Sequence, residues 1–214
     1  MKYFCYQIGI EIKNQLTSLR KEFFRKTIHI CTAFVPFFLH YAKISTIVCL
    51  CGAGILYIIA ESLRSKGREI PLISDITAAA ARKRDENKFV LGPVTLVAGI
   101  VAAAILWDEK AASVGIFALA FGDGLASLSG KTFGKIRVPY THGKTVEGSL
   151  TCFAAIFCST FFVTKNCALS LVVATVGALI EVLPLKDFDN LIIPVVLGGI
   201  VAGANYGILS VFQL

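Results

Sequence analysis

Along most of this chain the apolar residues fall in runs instead of alternating with polar ones. Stretches of sixteen or more mainly apolar positions recur, each closed by a polar or charged cluster. The pattern predicts membrane-spanning helices at roughly 27–42, 44–60, 89–107, 111–129, 149–164, 167–184 and 191–212. Several are at the short limit for the ~30 Å hydrocarbon layer of a bilayer. Before the first run, residues 3–24 interleave charges with Leu, Ile and Phe, as an amphipathic helix lying in a membrane interface does, so 1–26 is read as an interfacial cytoplasmic helix. Glu11, Lys13, Arg20 and Lys21 interrupt any apolar core there, which speaks against a cleavable signal. The expected fold is all-α: one polytopic membrane domain, with about seven transmembrane helices bundled over 27–212 and no internal repeat.

The longest polar connection is 61–88. Within it Pro71 begins a new segment, and Ile76 to Arg84 reads as a short helix along the interface. Gly92-Pro93 then sits just inside the third span, where Pro frees backbone carbonyls that protein or water must satisfy.

Composition agrees with this layout: 56% of residues are hydrophobic, 16% are charged, and mean hydropathy is +0.73. The net charge of +7 is placed by topology. With the N-terminus in the cytoplasm, eighteen of the twenty-one Lys and Arg residues fall on that side, and Lys43, Lys110 and Lys165 fall on the other. Because the cations are divided among several connections and no nucleic-acid module is present, nucleic-acid binding is excluded. Seven cysteines include no CxxC pair, so they imply buried thiols and no metal site.

Ionisable groups in or beside membrane spans are costly and point to function. Here they are His29, Glu61, Asp123, Glu147, Glu181, Asp187 and Asp189, all toward the cytoplasmic ends of their spans. Such a distribution predicts one site open to the cytosol and the inner leaflet. Asp123, between Gly122 and Gly124, lies where backbone can approach a ligand, and a carboxylate beside a polyphosphate suits Mg²⁺. Over 130–148, Gly130 and Gly134 bracket Lys131, and Lys135, Arg137 and Lys144 follow. Glycine amides and interleaved cations in one loop suit a phosphate chain. Neither GKT string completes a Walker A motif, because Leu125 and Val138 stand where its first glycine is required. Glu147 is a candidate second metal ligand, base or helix cap. Arg25 and Lys26 lie one helical turn before or beside His29, a candidate base. These residues suggest an enzyme that brings a soluble nucleotide to a membrane lipid.

At these positions the chain resembles the CTP-dependent lipid kinases, a family of dolichol, phytol and CTP-using diacylglycerol kinases distantly related to phosphatidate cytidylyltransferases. The family's D-x-x-A-x-x-x-G-x-x-x-G-x-x-K/R and following K-x-x-E-G pattern is matched by Asp123, Ala126, Gly130, Gly134, Arg137, Lys144, Glu147 and Gly148. Arg25-Lys26-x-x-His29, Glu61-x-x-Arg64, and Glu181, Pro184, Asp189-Asn190 and Pro194 match its other conserved-type strings, so the likeness covers roughly 20–200. Six residues separate Arg137 from Lys144, as in the phytol and diacylglycerol kinase branches.

The resemblance implies CTP as phosphoryl donor, a divalent cation, and a membrane lipid alcohol as acceptor, either diacylglycerol or a phytol- or polyprenol-type isoprenoid. Asp123, Glu147, His29 and Asp189 are then the expected catalytic groups, with Asp123, Glu147 and Asp189 on the metal. Gly130, Lys131, Gly134, Lys135, Arg137, Lys144, Gly148 and Asn190 are expected at the nucleotide, and Arg25, Lys26, Glu61, Arg64 and Glu181 in support. The site is expected to face the cytoplasm in a cell membrane or an endoplasmic-reticulum-type membrane. Rival expectations are a cytidylyltransferase, which would release pyrophosphate from CTP, and a transporter using the intramembrane acids as a proton relay.

Overall fold

The computed structural model describes residues 2–68, 89–141, 143–205 and 207. The expected interfacial helix at 76–84, His142 and most of the last span beyond Asn205 lie outside these residues. The described chain is helical: α1 (Lys2–Cys31), a 3₁₀ turn (Thr32–Phe34), α2 (Val35–Ser65), α3 (Gly92–Leu106), α4 (Glu109–Phe117), a π-helical turn (Ala118–Asp123), α5 (Gly124–Phe133), α6 (Val146–Thr164), α7 (Cys167–Val182) and α8 (Asp189–Asn205). Extended pairing among the described residues is limited to an isolated bridge between Arg137 and Thr145.

Among the described residues, three stretches are long and apolar enough to cross a membrane: Leu19–Ser65, Glu109–Phe133 and Val146–Thr164. α3, α7 and α8 are apolar but shorter, at 15, 16 and 17 residues. The all-α expectation holds, whereas of the seven expected spans three are candidate crossings by length and composition among the described residues.

At 47 residues, Leu19–Ser65 would extend about 70 Å as one straight helix, more than twice the ~30 Å hydrocarbon layer. It doubles back at Ala42, whose φ of −148° and ψ of 61° are not helical. Contacts on either side establish the reversal. His29 lies by Asp123 and His40 by Glu109, so this limb runs antiparallel to α4–α5. Gly54 faces Val97 and Glu61 binds the Val90 amide, so the second limb runs antiparallel to α3. The reversal falls between the expected helices 27–42 and 44–60. At the other boundary the expectation changes, because α1 continues without a break through the 26/27 junction between interfacial and spanning segments. No Gly or Pro occurs between Arg25 and Cys31, and a change from polar to apolar side chains does not by itself end a helix.

α8 is the packing centre of the bundle. Its Asn190, Ile193, Pro194, Leu197, Gly198 and Val201 recur at helical spacing and are buried. In lipid, helices gain little by hiding apolar surface from one another, so close van der Waals packing over small residues supplies the cohesion. Gly99 of α3 lies so near the Asn190 carbonyl and Gly115 of α4 so near the Pro194 carbonyl that a Cβ would collide with backbone. Pro194 has no N–H for the Asn190 carbonyl in its own helix, and it is on this carbonyl that Gly99 closes. The Trp107 indole covers Gly198 and Gly199 and donates to the Val195 carbonyl at 2.9 Å.

Gly115→Val is expected to lower the stability of the detergent-solubilised protein by about 1–3 kcal/mol, the usual cost of overpacking. Gly52→Val, with nothing within 4 Å of its Cβ position, is expected to leave it unchanged; thermal unfolding of both variants checks the pair.

Candidate functional site

The π-helical turn Ala118–Asp123 breaks the register between α4 and α5 directly before the acidic residue. π turns widen a helix by one residue and redirect the side chains that follow. Its setting is fixed on both sides: a side chain at Gly122 would meet Ile156 Cγ1 of α6 at 2.8 Å, and one at Gly124 would meet Ile30 Cγ1 of α1 at 3.0 Å. Asp123 is thereby held, buried, between α1 and α6. Lys26 and His29 share a face of α1, and both reach it. Lys26 Nζ donates to Asp123 Oδ2 at 2.5 Å, and His29 Nδ1 lies 3.2 Å from the same oxygen, off the alignment of a hydrogen bond.

Two more carboxylates converge on Asp123. Glu181, at the end of α7, and Asp189, at the start of α8, each bring an oxygen so that one from each of the three acids lies within 4.8 Å of the others. Lys144 Nζ donates to Glu181 Oε2 at 2.5 Å. The acids open onto a cavity of about 510 Å³, which Ser127, Thr141, Lys144 and Lys186 also line. Acidic oxygens at its floor and ammonium groups on its walls fit a polyanion bound together with a hard cation.

The glycines expected to present amides to phosphate have a packing role here. Ala126 and Gly130 of α5 and Gly134, which ends it, follow one another at four-residue spacing, and α6 lies against them. A Cβ on Gly148 would meet the Ala126 carbonyl at 2.9 Å, and one on Gly130 would meet Thr145 Oγ1 at 2.8 Å. Thr145 caps α6 by accepting from the Gly148 amide at 3.2 Å. Gly130 and Gly148 still border the cavity, because close approach of the two backbones forms its wall.

Between these helices the loop is tied by Val138 N donating to the Lys144 carbonyl and Val146 N to the Ile136 carbonyl, both at 2.9 Å. Glu147 belongs to this tie. Its carboxylate accepts from the amides of Lys135 at 2.9 Å and Ile136 at 3.3 Å, which places it on the loop and outside the acidic cluster. The third carboxylate of the cluster is therefore Glu181, expected only in support, in place of Glu147. Lys135 and Arg137 are exposed and do not line the cavity, whereas Lys131 lines it and pairs with Glu22 at 2.6 Å.

The remaining expected residues hold the scaffold. The Asn190 amide donates to the Gly92 carbonyl at 3.3 Å and to Thr95 Oγ1 at 3.2 Å, supporting the Gly-Pro start of α3 instead of lining the cavity. Glu61, fully buried, accepts two bonds from Arg64 at 2.7 Å and one from Val90 N at 2.8 Å, so the end of α2 fixes the entry to α3. Arg25 pairs with Glu22. Glu22 itself was missed in the sequence. Its signal is a lone acid among Arg20, Lys21, Arg25 and Lys26, and it is buried between two of the site's cations.

No family model matches the chain, and no solved structure matches it significantly. Over 99 residues, 44% of this chain and 32% of the relative, it is 27% identical to probable phytol kinase 1, chloroplastic, of Glycine max. Over 187 residues, 85% of this chain and 93% of the relative, it is 31% identical to the uncharacterized protein MJ1137 of Methanocaldococcus jannaschii, and it belongs to the same family as that protein.

Proposed function

We propose that this protein is a membrane kinase that transfers the terminal phosphoryl group of CTP to the hydroxyl of a membrane lipid alcohol, a diacylglycerol or a phytol- or polyprenol-type isoprenoid. The observation that carries the proposal is the cluster of Asp123 and Glu181, both buried, with the half-buried Asp189, flanked by Lys26 and Lys144 at one end of a helical bundle. The partial likeness to a protein named a probable phytol kinase supports a lipid kinase in general terms. CTP and the choice of acceptor rest on the motifs through Asp123, Gly130, Gly134, Arg137, Lys144 and Glu147. In this reading the helical limbs alternate through the bilayer as seven crossings, with the acidic cluster at the cytosolic face.

Three clustered carboxylates are a hard-oxygen donor set that fits Mg²⁺ or a similar divalent cation, which takes a few carboxylates and completes its shell with phosphate oxygens and water. Asp123, Glu181 and Asp189 would hold it, and when bound it neutralises charge on the polyphosphate. Lys144 and Lys186 on the cavity wall bind the phosphate chain, and Lys26 keeps Asp123 oriented. The lipid hydroxyl oxygen attacks the terminal phosphorus, the bridging P–O bond breaks, CDP leaves, and Asp189 accepts the hydroxyl proton. Catalysis is then chiefly positioning and charge neutralisation.

Purified protein incubated with labelled CTP, Mg²⁺ and a panel of lipid alcohols is expected to yield CDP and a lipid phosphate. Pyrophosphate with a nucleotide-linked lipid would overturn the kinase assignment. Asp189→Asn is expected to lower turnover by about a hundredfold or more while leaving thermal unfolding unchanged, since the amide keeps the shape and removes the charge. Lys144→Ala is expected to raise the KM for CTP well above the effect of Lys43→Ala, measured by the same assay; equal effects would remove Lys144 from the nucleotide site.

A further inference from the structure

Glu22 and Lys131 face each other where two concavities meet. The acidic cavity of about 510 Å³ lies on one side, a second concavity of about 810 Å³ between α1 and α5 lies on the other, and both residues line both. Their ion pair, 2.6 Å long, is unequal. The Glu22 side chain is 6% exposed and also holds Arg25, one turn along α1, whereas the Lys131 side chain is 41% exposed and projects on a flexible stem from the last turn of α5. Loss of Lys131 leaves Glu22 still paired, and Lys131 has open space on either side into which to turn.

The other paired lysines at the site are committed differently. Lys26 is held on Asp123 and Lys144 on Glu181, and both acids belong to the three-carboxylate cluster whose charge these lysines offset. Lys131 is paired on an acid outside that cluster, and it is the most exposed of the three. A polyanion entering the cavity therefore draws Lys131 without uncovering any carboxylate that would hold the divalent cation.

We infer that Glu22 is the resting partner of Lys131 and that a polyphosphate in the acidic cavity takes Lys131 over from it, so that Glu22 sets how tightly the polyphosphate is held. The inference rests on the reading of the cavity as a polyanion site and adds to it the source of one of its cations. In the exchange Lys131 gives up a carboxylate and gains phosphate oxygens, and Glu22 keeps Arg25. The net attraction is the difference between two charge-assisted contacts, smaller than an unpaired lysine would give. Glu22 acts on the anion through Lys131 and is a positioning residue. Its pairing also reconciles a buried acid with a cavity that admits anions, since a bare carboxylate on that wall would repel a phosphate chain.

The full chain in detergent is titrated calorimetrically with inorganic tripolyphosphate in the presence of Mg²⁺ and without lipid. Glu22→Gln, which keeps the shape of the side chain and removes its charge, is expected to lower the Kd about fivefold, the size of one partly exposed ion pair. Lys131→Met is expected to raise it about tenfold, the size of a charge-assisted contact to phosphate. In the Lys131→Met background the gain from Glu22→Gln is expected to vanish. Should Glu22→Gln fail to fold, Glu22→Asp, which keeps a charge for Arg25 and draws back from Lys131, is expected to shift the Kd in the same direction by a smaller factor. Absence of tripolyphosphate binding, unchanged or weaker binding in the Glu22 variants, or an equal gain with and without Lys131 overturns the inference; the last result would make Glu22 a general negative charge on the wall. Because the titration needs no turnover, this pattern without formation of a lipid phosphate would sustain the exchange and defeat the kinase reading. Turnover with tripolyphosphate affinity indifferent to Glu22 would do the reverse.

Discussion

Three carboxylates within 4.8 Å of one another, all at least partly withdrawn from water, are the constraint around which the rest of this structure is arranged. At an effective dielectric of ~20, each ionised pair at that separation repels by roughly 3 kcal/mol. Opposite charge held close offsets that repulsion. The fold supplies it from two directions, Lys26 from α1 onto Asp123 and Lys144 from the loop before α6 onto Glu181. The lysines are as costly to bury alone as the acids, so each pair holds its two segments in place. Docking of α1 against α5 and closure of the 134–145 loop are therefore coupled to the assembly of the acidic site.

Close backbone packing is what allows the acids to meet. Gly122 and Gly124 let α6 and α1 approach on either side of Asp123, and Gly130, Gly134 and Gly148 let α5 and α6 touch along the next turns. In a bundle where lipid competes equally well for apolar side chains, such contacts supply much of the cohesion. The glycines near the site thus shape the cavity through helix separation, and the π-helical turn sets the direction in which Asp123 projects. In this architecture the acids are carried by packed helical segments, and the long side chains of Lys131, Lys144 and Lys186 line the same cavity.

The scaffold residues show how irregular backbone is satisfied within an apolar helical bundle. The Gly92-Pro93 start of α3 leaves a carbonyl that Asn190 binds, and the Val90 amide before it is bound by Glu61, which Arg64 neutralises. Glu61 and Asn190, which motif spacing associates with the site, each satisfy main-chain groups at the entry to α3. Polar residues at membrane depth must bond to something, and a backbone group without a helical partner is as demanding as a ligand.

An all-helical fold and a reversal near residue 43 are legible in the chain alone, because hydropathy acts on each segment independently of its neighbours. The sequence also marked Asp123, Lys144 and Asp189. Tertiary structure alone decided which acids share the cluster. Glu147 stands three residues after Lys144, yet the loop's own amides claim it, whereas Glu181 enters from another helix. Lys26 and Asp123 lie 97 residues apart and meet because α1 runs antiparallel to α4–α5. Spacing along a chain records which residues travel together on one helix, but a charge cluster built from α1, the π-helical turn, α7 and α8 depends on the angles and separations at which those elements pack, and these are set by contacts distributed over the whole bundle.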